Sequence, residues 1–247
     1  TRFAEMNGVF DTSIPAKRPE VTHTVNRWII GEVARARIAV DDALATYRFN
    51  DAANTLYAFV WGKVCDWYVE FAKPLMDGVE AAETRVTMRW VLDQCYLMLH
   101  PIMPFITEEL WSLVPKNVMF EQLDSIMFAP YPHQDDRFLN PASEEKMELI
   151  MRAIKTIRDM RQTFNVPASA EAEVIIAVEN PQELEWLEAG RGYIQRLSNK
   201  INPLNMGASL KSPGKAAYKK VGSATIYIPL ANLIDVEKTK EKLQQRI

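Results

Sequence analysis

Three histidines, two cysteines and the adjacent glutamates Glu108 and Glu109 are the side chains with which this chain could do acid–base, nucleophilic or metal chemistry, and their spacing favours none of these. His23, His100 and His133 have no carboxylate or cysteine at ligand spacing, and His100, standing before Pro101, reads as a helix-end residue. Glu108 and Glu109 are neighbours on a predicted helix, where adjacent positions diverge by about 100° and cannot share one substrate atom. Cys65 and Cys95 each fall in an apolar helical stripe and read as buried free thiols of a reducing compartment. None of the nine glycines makes a phosphate-binding GxGxxG or GxxxxGK[ST], and HExxH and GxSxG are absent. The chemistry that remains is recognition. Two apolar side chains stand off the core stripes, Val69 on the polar face of its helix and Phe3 between Arg2 and Glu5, and such groups can hold an unstacked base. The first half also carries five of the six tryptophans, but most of these lie on core stripes and read as packing.

The elements that must position these residues are helices. Over 51–73, Leu56, Val60, Val64, Trp67 and Phe71 recur every three to four residues and Trp61, Cys65, Tyr68 and Ala72 form a second stripe. Solvent keeps a narrow face with Ala58, Gly62, Asp66, Val69 and Lys73. A preceding helix over 21–47 turns Ile29, Val33, Ala36, Val40, Ala43 and Tyr47 inward, and Asn50 or Asp51 can cap the helix after it. A third, over about 80–100, buries Met88, Val91, Leu92, Cys95 and Leu99. Pro101 then disfavours helix at His100, and Pro104 suits a new first turn, whose helix buries Ile106, Leu110 and Leu113. After an irregular stretch over 114–140, a long helix to Phe164 aligns Met147, Ile150, Ile154, Ile157 and Arg161.

Beyond Pro167 the period changes. EAEVIIAVE from Glu171 is a β-branched strand, and Asn180 with Glu183 makes an Asn-x-x-Glu capping box for a helix to Leu197. Residues 215–221 and 223–230 read as a hairpin about Gly222-Ser223, with Lys219 and Lys220 as solvation of a surface strand. From Asp235, Val236, Leu243 and Ile247 keep coiled-coil spacing for less than two heptads.

Composition agrees with a soluble globular protein, 48% hydrophobic and 25% charged, without a membrane-span-length apolar run or a signal-peptide layout, so the expectation is cytoplasmic. The opening at Thr1, without methionine and within what reads as a helix tail, suggests a fragment. The net charge of −3 divides into −6 over residues 1–140 and +3 over 141–247, so RNA binding by the first part would rest on local contacts and stacking, not on a broad positive field.

NRWII at 26–30, CDWYVEFAKP at 65–74, LHPIMPFITEELW at 99–111, IRDMRQTFNVP at 157–167, GRGYIQRL at 190–197 and IPLANLIDVEKTKEKL at 228–243 together resemble the C-terminal part of the bacterial valyl-tRNA synthetases, across essentially the whole chain. LHPIMPF followed by EELW is shared by related class Ia synthetases, whereas CDWY and the PLANLID run resemble the valine enzymes specifically.

The resemblance implies a mainly α chain: a class Ia anticodon-binding helical bundle over 1–165, a small α+β module over 166–234, and the truncated start of a coiled-coil arm over 235–247. It implies recognition of the anticodon of valine tRNA, with Phe3 and Val69 at the positions that meet the middle adenine, Val69 replacing the more frequent leucine; Arg2 is a phosphate-contact candidate in the same segment. It implies no cofactor and no catalytic site in this stretch. The ATP motifs, the use of ATP and magnesium and the editing domain belong to upstream parts of a monomeric ligase. The rivals are the corresponding region of an isoleucine enzyme, whose zinc-bearing tail would need a cysteine cluster absent here, and a helical protein-interaction domain without RNA binding.

Overall fold

A computed structural model describes residues 1–11, 19–114, 123–132, 136–167, 169–208 and 210–230. The fold is mainly α with one small mixed sheet, and the described residues fall in two units, the first ending at Glu144 and the second starting at Glu145. The expected coiled-coil start at 235–247 lies outside the described residues.

In the first unit, α1 (Arg2–Met6) precedes α2 (Thr24–Ala45), which buries Ile29, Val33, Ala36, Val40 and Ala43 as its periodicity requires. Tyr47 departs from expectation. The helix stops at Ala45, Tyr47 takes a φ of 58°, and its ring turns out to 81% exposure. The next helix starts at Phe49 with Arg48 in the cap position, so neither Asn50 nor Asp51 caps it; Arg48 instead pairs with Asp42 and Asp51.

That helix is α3 (Phe49–Tyr57), a π-wound stretch over Ala58–Tyr68, and α4 (Val69–Ala72) in continuity. The π winding changes the angular step per residue, so the inward positions become Phe59, Val64 and Tyr68, spaced by five and then four. Trp61 and Cys65, expected inside, are carried to the surface, with Trp61 57% exposed. Cys95, in α5 (Ala81–Leu99), is buried as expected, and burial pushes its thiol up to about 12.

The double-proline break is as predicted, with Pro104 opening α6 (Pro104–Leu113). His100 and Thr107 join across it, Nδ1 to Oγ1 at 2.7 Å, and this bond fixes the rotation of α6. Thr107 and Trp111 therefore face inward, while Ile106 and Leu113, expected in the core, are 47% and 67% exposed.

The helix α7 (Pro141–Thr163) begins with Asn140 Oδ1 accepting from the Ser143 amide at 3.0 Å. Met147, Ile150, Ile154, Ile157 and Arg161 are all buried. In the second unit α7 meets the turn between α8 (Pro181–Ala189) and α9 (Arg191–Leu197), where a Cβ on Gly190 would stand 2.6 Å from Ile150 Cδ1; that close approach requires glycine. Arg161 is structural here, its Nη2 donating to the carbonyls of Pro167 and Ala170, each at 2.8 Å.

The sheet has the order β2-β1-β4-β3, with β1 (Ala172–Val178) parallel to β2 (Ile201–Gly207) and antiparallel to β4 (Ala224–Pro229), which pairs with β3 (Ala216–Val221). The hairpin turns at Gly222 (φ 60°), as expected. β2 was not foreseen: INPLNMG lacks alternation, has Ile201 as its single β-branched residue, and becomes a strand by pairing with β1. The predicted capping box is half realised. Asn180 Oδ1 accepts from the Gln182 amide, but Glu183 turns to the hairpin, taking hydrogen bonds from the Ser223 amide (3.0 Å) and hydroxyl (2.8 Å).

Candidate nucleic-acid interface

Phe3 lies on α1 and Val69 at the first residue of α4, and both line one small apolar hollow of ≈ 30 Å³ together with Tyr68, Met88, Val91 and Leu92. Each of the two is half-buried, so each presents part of its side chain outward. Val69 is thus less exposed than a helix-wheel reading of its solvent face implied. It sits where the π winding ends, its amide donating to the Val64 carbonyl five residues back. Arg2, exposed next to Phe3, has no side-chain hydrogen bond or ion pair among the described residues.

Three bonds hold α1 in position. Thr1 Oγ1 meets the Tyr96 hydroxyl at 2.9 Å, Asn7 Nδ2 donates to the Phe3 carbonyl at 2.7 Å, and Arg85 Nε donates to the Asn7 carbonyl at 2.8 Å. Arg85 Nη2 also donates to the Met76 carbonyl at 2.9 Å, just beyond α4, so one guanidinium on α5 fixes both elements that carry the hollow. Sequence reasoning missed Arg85; nothing in its local pattern marks it, because both of its acceptors are backbone carbonyls.

Below the hollow, Tyr68 is fully buried and donates to Asn26 Oδ1 at 3.3 Å. Asn26 Nδ2 donates in turn to Glu83 Oε1 (2.8 Å) and Thr84 Oγ1 (3.2 Å). Glu83 also accepts from the Thr22 amide and hydroxyl and the His23 amide. Burial alone would raise the Glu83 carboxyl; the hydrogen bonds from Asn26, Thr22 and His23 outweigh it and hold the group below the usual carboxylate range. Burial, with the Glu83 charge adding to it, drives the Tyr68 phenol far upward, so it remains a donor at any working pH. Such a satisfied network gives the hollow a rigid floor.

The lining of the hollow is apolar apart from the hydroxyl-bearing Thr1 and Tyr68, which bond to Tyr96 and Asn26, and among the described residues no set of three His, Cys, Asp or Glu could hold a metal. An apolar rim with an adjacent free cation suits the face of a base and its phosphate.

Comparison with known proteins bears on what is recognised. The family described as the anticodon-binding domain of tRNA ligase matches residues 26–176, which include Val69 but not Phe3 or Arg2. The chain is 43% identical over its whole length to a valine--tRNA ligase of Cereibacter sphaeroides, 42% identical over 99% of its length to that of Ruegeria pomeroyi, and 35% identical over its whole length to that of Geobacter sulfurreducens. It spans 24%, 24% and 28% of those ligases respectively. No helix among the described residues is long and apolar enough to cross a membrane. The chain belongs to the family of anticodon-binding domains of tRNA ligases.

Proposed function

We propose that the chain is the tRNA-recognition part of a valine--tRNA ligase, reading the anticodon stem-loop of valine tRNA while a catalytic domain of the same polypeptide attaches valine. The observation that carries the residue assignment is the meeting of Phe3 and Val69, both apolar and half-exposed, at one rim. The hollow is too small to enclose a base. The middle anticodon base therefore lies across the rim against the Phe3 ring and the Val69 methyls, and Arg2 takes a flanking phosphate.

ATP and magnesium serve the catalytic domain of this cytoplasmic, monomeric ligase. Residues 1–165 act as the recognition bundle, 166–234 as a connecting module and 235–247 as the start of a coiled-coil arm along the tRNA. The family match, running through α7 to residue 176, supports counting α7 with the bundle.

The test uses the whole ligase carrying Phe3→Ala or Val69→Asp. Charging of valine tRNA should fall while valine-dependent pyrophosphate exchange, which needs no anticodon, is retained; unchanged charging would overturn the site assignment.

A further inference from the structure

Residues 189–234 hold seven lysines and arginines and no aspartate or glutamate, in a chain whose net charge is −3. This stretch supplies three of the four strands. Lys211, Lys215, Lys219 and Lys220 are all exposed, and none of their side chains has a hydrogen-bond or ion-pair partner among the described residues. Left uncompensated, four such charges repel one another, so the segment is electrostatically matched to a polyanion.

The sheet gives that charge a geometry. Inward positions of β1 and β4 are buried (Val174, Ile176, Ile226, Ile228), and the alternate positions form an open face. On it Asn205, Ile175, Tyr227 and Tyr218 stand in register across all four strands. The two tyrosine rings are 6.1 Å apart at 38°, and Tyr218 is 70% exposed. One step along, Lys220 is paired with Thr225 on the same face. At the β2 end the row runs into a hollow of ≈ 380 Å³ bordered by Ile175, Asn205, Arg191 and Lys211. Within the strands this face carries the carboxylate of Glu173, engaged by Asn205 Nδ2 at 3.2 Å, and Glu171 and Glu179 continue the same alternation just outside β1. A cross-strand tyrosine pair alone would be ordinary sheet packing; with unpaired lysines at both ends of the row it becomes a stacking platform flanked by phosphate contacts.

We propose that the open face of this sheet is a second RNA-contact surface, with the Tyr218–Tyr227 pair taking exposed bases and Lys211 and Lys220 taking phosphates. It is separate from the Phe3–Val69 rim and carries no anticodon information. That the RNA is tRNA rests on the reading proposed above; that the face takes RNA does not.

The 247-residue chain is titrated with valine tRNA transcript, with the same transcript altered in the anticodon, and with a single-stranded oligoribonucleotide, at several salt concentrations. Tyr218→Ala should weaken all three about fivefold or more. Lys211→Ala/Lys220→Ala should weaken all three and lower the slope of log affinity against log salt by about one per lysine. Tyr218→Phe, which keeps the ring, should bind as the parent does and controls for folding. RNA carrying 4-thiouridine should cross-link within 216–229. Loss of anticodon preference with these effects intact would sink the anticodon reading and leave the sheet surface standing. Unchanged affinity in Tyr218→Ala and in the double lysine variant, with cross-links confined to residues 1–144, would overturn the sheet surface and leave the anticodon reading; a face covered by polypeptide gives this result. No RNA binding at all would overturn both.

Discussion

Arg85 Nε donates to the carbonyl of Asn7 at 2.8 Å, and the same guanidinium reaches Met76, so the segment bearing Phe3 and the segment bearing Val69 are held by one side chain. Both bonds tie these segments to α5. Arg85→Met removes two charge-assisted bonds from a half-buried position and should cost about 1–3 kcal/mol of stability by denaturant unfolding. It should also reduce discrimination against altered anticodons and couple non-additively to Phe3→Ala in a double-mutant cycle. Additive effects would mean that Arg85 does not position Phe3.

Val69 tests the apolar character of the rim. Val69→Asp sets a carboxylate beside Phe3 and in the path of RNA phosphate, and should weaken tRNA binding at least about tenfold, ~1.4 kcal/mol. Val69→Leu keeps the apolar surface and should bind as the parent does. Filter binding distinguishes them, and equal binding by the aspartate variant would refute the rim as a base contact.

Glu83 predicts a pH dependence of stability. Its folded pKa is depressed, so its contribution is fully present above the unfolded value of about 4.3 and is lost as pH falls through the lower folded value. The stability gap between parent and Glu83→Gln should be constant from pH 7 to about pH 5, then narrow with further acidification. Urea midpoints at stepped pH measure it; a gap that widens in acid would contradict the sign.

Gly190 predicts a steric coupling. Gly190→Ala drives a methyl against Ile150 and should destabilise by about 1–3 kcal/mol. Ile150→Val deletes the nearest atom, so the pair should recover part of the loss in thermal unfolding.

The cysteines report the π winding directly. In the native chain a maleimide should label Cys65 and spare Cys95, with both labelled in denaturant. Protection of Cys65 would contradict its exposed position.

Much of the architecture was legible because it is written within a turn or two of chain. The 3.6-residue stripes of α2 and α7, the break between Pro101 and Pro104, the alternation of β1 and the turn at Gly222 are local consequences of side-chain volume, branching and backbone freedom. Val69 and Phe3 could be singled out for the same reason: each is an apolar residue in a polar local setting.

What the sequence by itself determined is therefore which segments other than β2 are helix or strand and, for the strongly periodic ones, much of which face is buried. Tertiary structure decided the rest. It set the π winding that turns Cys65 outward, the rotation of α6 under the His100–Thr107 bond, and the transfer of Glu183 from its own helix cap to Ser223. It made β2 a strand by pairing, and it brought Phe3 and Val69 to one rim under Arg85. The Glu183–Ser223 bond, the β1–β2 pairing and the Arg85–Asn7 bond join residues distant in sequence, and a few tenths to a few kcal/mol from such a partner is enough to override a local preference of the same size.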